Sequence, residues 1–340
     1  MKMKKEHIFI SLTALFFVTL FGSNIGSAQE TWREKIKEKI KERRSRRIDR
    51  KRQFIAKPGD FDLSLIHDGL KRSYQVHVPP ANKRTTPAPL IFAFHGGGGS
   101  SETMANDRSY NLKSKSDKEG FIIVFPNGSS KLRSGKFATW NAGRCCAYAR
   151  DENIDDIGFV KAMINDLDQK LNIDKNRIYA LGFSNGGMLA YRLACEMPDV
   201  FKAIASVAGT ENYDHCDPVE PISILHIHAK DDGHVLFEGG AGEEAFRDLS
   251  KVTDFTSVPE TVSRWVKRDR CDNSAQRVLD KDGAYCDLYT GCMDNSSVQL
   301  CATEEGGHSW PGGNKPRSKS GQPGDAINAT DVIWEFFKKE

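Results

Sequence analysis

Gly182-Phe183-Ser184-Asn185-Gly186 lies between the apolar run Arg177-Ile178-Tyr179-Ala180-Leu181 and the helix-like segment Gly187-Met188-Leu189-Ala190-Tyr191-Arg192-Leu193. A serine between two glycines where a strand passes into a helix is the pattern of a nucleophile elbow. The turn is sharp, the serine backbone is strained, and the flanking positions must be small. The pentapeptide alone is a frequent pattern, equally compatible with a plain glycine turn. The strand before it and the helix after it give it meaning.

Apolar runs at 90–94, 121–125, 178–181, 201–207 and 222–227 are separated by helix-length segments. Near-continuous apolar strands alternating with helices predict an α/β fold, with a mostly parallel central sheet covered by helices on both faces. Residues 61–67 and 72–79, joined across His67-Asp68-Gly69, alternate in polarity like a hairpin that opens the fold. Asp155-Asp156 is placed to start a helix carrying Phe159, Met163, Ile164 and Leu167, with its carboxylates at the positive end. Residues 261–265 and 332–337 read as later helices. No internal repeat is visible, and residues 54–340 suit one large domain.

A serine hydroxyl needs a histidine to take its proton, and the imidazolium needs a carboxylate to orient it. In sheets with this elbow the acid and then the histidine follow the serine. Asp231 and Asp232, just beyond the 222–227 strand, are the candidate acids, and their local chemistry does not rank them. His234 is too near either aspartate to reach the serine, so His308, in the loop Gly306-Gly307-His308-Ser309-Trp310-Pro311-Gly312-Gly313, is the candidate base. The Asn185 amide, together with Gly97 in His95-Gly96-Gly97-Gly98-Gly99, is the candidate oxyanion hole. His95 orders that loop, and His67, His77, His215, His226 and His228 read as structural. No histidine or acid cluster has metal-ligand spacing and no glycine loop precedes a phosphate-binding lysine. Neither a metal nor a cofactor is expected.

Lys2, Lys4 and Lys5, an apolar run over 8–21 and the small residues Gly26-Ser27-Ala28 predict a secretory signal peptide over 1–28. The run is too short for a spanning helix, and no later segment could cross a bilayer. The protein is therefore expected outside the cell or in a periplasm. All eight cysteines lie beyond residue 28, where disulfides are expected. The formal charge of +3 hides an asymmetry: residues 31–53 hold 12 Lys/Arg against 4 Asp/Glu, so the body from 54 onward is mildly acidic. Trp32, Ile36 and Ile40 recur at helical spacing in this basic arm (29–53). It reads either as a solvated stalk or as an amphipathic contact for an anionic surface; nucleic acid is disfavoured for an exported chain.

His95-Gly96-Gly97, Trp140-Asn141-Ala142-Gly143-Arg144-Cys145-Cys146, Asp155-Asp156-Ile157-Gly158-Phe159, the segment 182–196 and Gly306 to Gly313 together resemble secreted poly(3-hydroxybutyrate) depolymerase-like esterases, grouped with feruloyl and acetylxylan esterases. The resemblance covers nearly all of 60–313. It implies an α/β-hydrolase fold and a serine esterase. It also lays a family pattern over His228 to Gly240 that places the acid on Asp232, with Ala229, Leu236 and Phe237 departing from the family's Gly, Pro and Tyr. Trp140, Trp310 and the Phe237 loop are candidate apolar walls for an acyl or aryl group. A hairpin matching Thr290 with Ser297 sets Cys286 opposite Cys301. Cys271 with Cys292 is a second pairing, and the vicinal Cys145 and Cys146 are expected to bond outward.

The expectation is a secreted serine carboxylic ester hydrolase working through an acyl-enzyme on feruloyl or acetyl esters of polysaccharide. The chain ends soon after its last helix without an appended binding domain, which favours soluble or oligomeric esters over a polyester surface. A polyester depolymerase is the next reading. A non-catalytic surface-binding protein, with the arm as its working part, is the third.

Overall fold

In the computed structural model the alternating apolar runs become one sheet. The description covers residues 39, 55, 57–81, 86–245, 253–314 and 322–340. The expected leader (1–28) and basic arm (29–53) lie outside these residues, Lys39 apart. The chain divides into two units, 1–54 and 55–340, and the second is described below.

The strands are β1 (Gly59–His67), β2 (Leu70–Val78), β3 (Ala88–Phe94), β4 (Ile122–Pro126), β5 (Ile173–Phe183), β6 (Ala203–Val207), β7 (Ser223–Ala229), β8 (Gln276–Lys281), β9 (Ala284–Tyr289) and β10 (Val298–Thr303). They lie in the order β1-β2-β4-β3-β5-β6-β7-β10-β9-β8. The middle run from β4 to β10 is parallel, and antiparallel hairpins close both ends. The principal helices are α1 (Leu112–Glu119), α2 (Asp156–Asp168), α3 (Asn185–Glu196), α4 (Val258–Arg268) and α5 (Ala329–Phe337).

Side chains of successive strand residues point to opposite faces, so β3 divides its apolar run between two cores. Leu90, Phe92 and Phe94 pack with Phe159 and Met163 of α2, Leu189 of α3 and Trp265 of α4. Ile91 and Ala93 face the other way, toward Leu112 of α1 and Trp334 and Phe337 of α5. Each fully buried Leu or Phe of this kind contributes roughly 1.5–3 kcal/mol. Asp155 caps α2 as its sequence position suggests, accepting from the Gly158 amide at 2.8 Å. Among the described residues no helix is long and apolar enough to cross a membrane.

Cys286 and Cys301 sit directly opposite in the β9–β10 register and are bonded, as are Cys271 and Cys292. Closing the 15-residue separation of the former constrains the unfolded chain by about 3 kcal/mol. Cys195 pairs with Cys216. The outward bonding expected of the vicinal cysteines is not what forms: Cys145 is joined to Cys146. The other six cysteines are consumed in pairs among themselves, which leaves these two only each other.

Every candidate site residue follows the carboxyl end of a parallel strand. His95–Gly99 follow β3, Ser184 follows β5, Asp231 and Asp232 follow β7, and His308 lies beyond β10. This is the edge at which open α/β sheets bind their ligands. The pairing of Phe94 with Gly182 brings the glycine loop beside the serine, and that of Ala229 with Thr303 brings the acid and histidine loops together.

Candidate active site

Ser184 occupies φ 53°, ψ −122°, between the last residue of β5 and the first of α3. A non-glycine residue held there stores roughly 1–3 kcal/mol of strain, which the surroundings must hold in place. They do so from both sides: the Ser184 amide donates to Val207 O at 2.8 Å, and the Ser184 carbonyl accepts from Met188 N at 3.0 Å. The flanking glycines are required by contact. A Cβ on Gly182 would lie 2.2 Å from the Gly186 carbonyl, and one on Gly186 would lie 2.3 Å from Phe94 O. Gly186→Ala must therefore push the helix off the β3 loop, at a cost of about 3 kcal/mol, the upper range of overpacking. Thermal unfolding measures this, and a Tm within a degree of the parent contradicts it.

His308 Nε2 lies 2.8 Å from Ser184 Oγ, and His308 Nδ1 lies 2.8 Å from Asp232 Oδ2. Asp232 is buried, and its Oδ1 accepts from the backbone amides of His234 (2.8 Å) and Val235 (3.0 Å). Burial pushes its carboxyl upward, but the hydrogen bonds from His228 and His308 outweigh this and hold it well below the usual carboxylate range. An imidazole so placed can take the serine proton at Nε2 while its Nδ1–H stays fixed on a permanent anion. Asp231 does different work. Its two oxygens accept from the amides of Gly307 (2.8 Å) and Gly306 (3.2 Å), tying down the loop that carries His308.

On the other side of the serine, Gly96, Gly97 and Asn185 line the same cavity as Ser184 and His308. Asn185 is the first residue of α3, where backbone amides lack helical acceptors and the helix end is positive. His95 orders the glycine loop: its Nδ1 donates to Gly96 O at 2.8 Å and its Nε2 accepts from Gly128 N at 3.0 Å. Burial lowers its pKa to about 4, so the ring is neutral near pH 7. Trp140, expected on a substrate wall, is instead wholly buried and absent from the cavity lining. Its indole N–H donates to His95 O at 2.9 Å, and its backbone N–H and C=O bond the Asn185 amide side chain at 2.8 and 3.1 Å. It braces both halves of the candidate oxyanion site from below. Trp310 is also off the serine cavity; it lines a separate hollow with Tyr110 and Phe183 and donates to Thr330 Oγ1 at 3.1 Å. Phe237 is buried with its ring edge-on to His228.

The poly(3-hydroxybutyrate) depolymerase esterase model matches residues 72–247, just over half the chain. The chain belongs to this esterase family. Feruloyl esterase B of Piromyces equi is 28% identical over 242 residues, covering 70% of this chain and 42% of that longer protein. Feruloyl esterase B of Neurospora crassa is 31% identical over 229 residues, or 67% and 65% of the two chains. Among solved structures, the acetyl xylan esterase of Aspergillus awamori superposes with a TM-score of 0.57 at 13% identity, over 83% of this chain and all of that one. The protein is a carboxylic ester hydrolase of the α/β-hydrolase fold.

The cavity of this esterase above Ser184 has a volume of about 220 Å³. Phe183, Met188, Val235, Phe255 and Cys146 give it a mainly apolar wall, with His234 and Glu244 as polar groups. The sequence sets His234 too near either aspartate to reach the serine. The structure stacks it on the His308 ring at 4.6 Å and pairs it with Glu244 at 3.2 Å. Donor atoms of Asp232, His234 and His308 lie within 4.8 Å of one another. The stacked rings are only 17° from parallel, however, so their in-plane lone pairs run side by side instead of converging on one ion. His226 and His228, which the sequence reads as structural, lie two apart on β7, with His228 against Asp232 and His226 against His228. That spacing on a strand leading into the acid loop was the signal available.

Proposed function

We propose that this esterase is an exported serine hydrolase in which Ser184 attacks the ester carbonyl, His308 moves the proton and Asp232 orients His308. The observation that carries the reading is the continuous 2.8 Å path from Ser184 Oγ through His308 to Asp232 Oδ2. Attack forms the bond from Oγ to the carbonyl carbon as His308 Nε2 takes the serine proton. The oxyanion is held by the Asn185 and Gly97 amides, each worth roughly 3–4 kcal/mol when lost. Collapse expels the alcohol, which leaves with the proton from His308. Water then repeats the sequence on the acyl-enzyme, freeing the acid and the serine.

For substrate we favour feruloyl or acetyl esters borne by polysaccharide. Relatives carrying the names feruloyl esterase and acetyl xylan esterase support this, as does a mainly apolar cavity of a size for a small acyl group. The family model keeps polyester hydrolysis as the second reading. Export is supported by the leader-like residues 1–28 and by four cysteine pairs, which persist in oxidising compartments. Methyl ferulate, acetylated xylan and hydroxybutyrate oligomers assayed side by side separate the substrates: hydrolysis of the oligomers alone overturns the preference. The arm is proposed as a solvated stalk, with contact to an anionic surface as its second reading; deletion of 31–53 that leaves binding to anionic vesicles and acidic polysaccharide unchanged leaves only the stalk.

A further inference from the structure

Asp232 receives a donor from deeper in the core than the serine relay. Tyr191 Oη lies 2.8 Å from His226 Nδ1, and His226 Nε2 lies 3.1 Å from His228 Nδ1. His228 Nε2 in turn lies 3.1 Å from Asp232 Oδ2 and 2.9 Å from Val235 O. None of these four side chains belongs to a residue more than 2% exposed. A carboxylate and a carbonyl only accept, so His228 Nε2 carries hydrogen, and the neutral ring then accepts at Nδ1 from His226 Nε2–H. That leaves His226 Nδ1 to accept from the Tyr191 hydroxyl. Every donor in the row points toward Asp232.

We propose that His228, backed by His226 and Tyr191, is a positioning residue that fixes Asp232 Oδ2 against His308 and takes up part of its negative charge, so setting the pH range in which His308 accepts the serine proton. The proposal rests on the Ser184–His308–Asp232 reading above. Tyr191 is wholly buried and stacks on Trp265 at 6.1 Å, so the row ends in the core. It is a line of aligned dipoles, each polarising the next in a low-dielectric interior. Burial holds His226 well below the usual histidine range. Burial, and then the Glu211 charge, hold Tyr191 well above the usual phenol range. Both stay neutral.

Among the described residues, several polar groups surround His308. Ser184 meets Nε2, Asp232 meets Nδ1, and His234 covers a ring face with Glu244 behind it. Asp231 is engaged by the amides of Gly306 and Gly307. Asp232 Oδ2 therefore divides its charge between two imidazoles. Without the His228 donor more of that charge falls on His308, its protonated form gains, and the form able to accept the serine proton appears at higher pH.

His228→Met and His228→Gln are alike in length, but only Gln keeps an N–H donor. With p-nitrophenyl acetate and the full chain, H228M is expected to move the acidic limb of kcat/KM up by about half a pH unit. Its plateau kcat falls about tenfold with KM little changed, while H228Q stays within about threefold of the parent. Tyr191→Phe, which removes only a hydroxyl, moves the limb the same way by about 0.2 unit and carries the test if H228M does not fold. Profiles that superimpose on the parent, or equal losses in H228M and H228Q, overturn the proposal. Hydrolysis by the parent that does not depend on Ser184 overturns instead the reading on which it rests.

Discussion

Ser184→Ala is expected to lower kcat/KM for a p-nitrophenyl ester by about five orders of magnitude, with folding intact. The alanine methyl fits wherever the serine CH₂ does, and the backbone supports, to Val207 O and from Met188 N, do not involve the hydroxyl. What disappears is the only nucleophilic atom within 2.8 Å of His308 Nε2 among the described hydrogen bonds. The oxyanion donors and the cavity survive, so a residual rate above that in water, of about 10³-fold, is expected to persist. The measurement is a steady-state assay on protein whose Tm matches the parent. Activity within a hundredfold of the parent means that another group performs the attack, and the serine mechanism fails.

The parts of this picture that were legible in the sequence are those governed by short-range rules. The elbow is local: glycines 182 and 186 are dictated by contacts of 2.2–2.3 Å in the turn itself or with the adjoining strand. The Cys286–Cys301 register follows from the strict alternation of an antiparallel hairpin, and one matched pair fixes the rest. The edge strand β8 was not anticipated, since its residues are almost all exposed and show no apolar alternation. Trp140 could not be placed either. An aromatic residue near an elbow can face substrate or core, and only the hydrogen bonds to His95 O and Asn185, residues 45 positions away in the chain, decide for the core. His226 and His228 were hidden for the opposite reason. On a strand buried on both faces, polar residues interleaved with Ile and Leu read as packing, and their connection to Asp232 depends on the loop beyond turning back over the strand end.

Asp232→Asn should cost about four orders of magnitude in kcat, nearly as much as losing the nucleophile, although it changes neither size nor shape. The reason is the direction of the hydrogen bonds. Oδ1 of Asp232 is committed to accepting from the amides of His234 and Val235, so the amide oxygen of an asparagine must stay there. Its NH₂ group then replaces Oδ2 and confronts two donors, His308 Nδ1–H and His228 Nε2–H. His228 can retain Val235 O at 2.9 Å as an acceptor, whereas His308 relieves the clash by moving its hydrogen to Nε2. That tautomer faces Ser184 with a donor and cannot take its proton. The lost carboxylate charge also ceases to favour imidazolium, so the acidic limb of the residual activity moves to lower pH, the opposite sense to His228→Met. A plateau kcat within tenfold of the parent, or a limb moving upward, rules out this account of Asp232 and returns Asp231, which now only anchors the Gly306-Gly307 loop, to consideration as the acid.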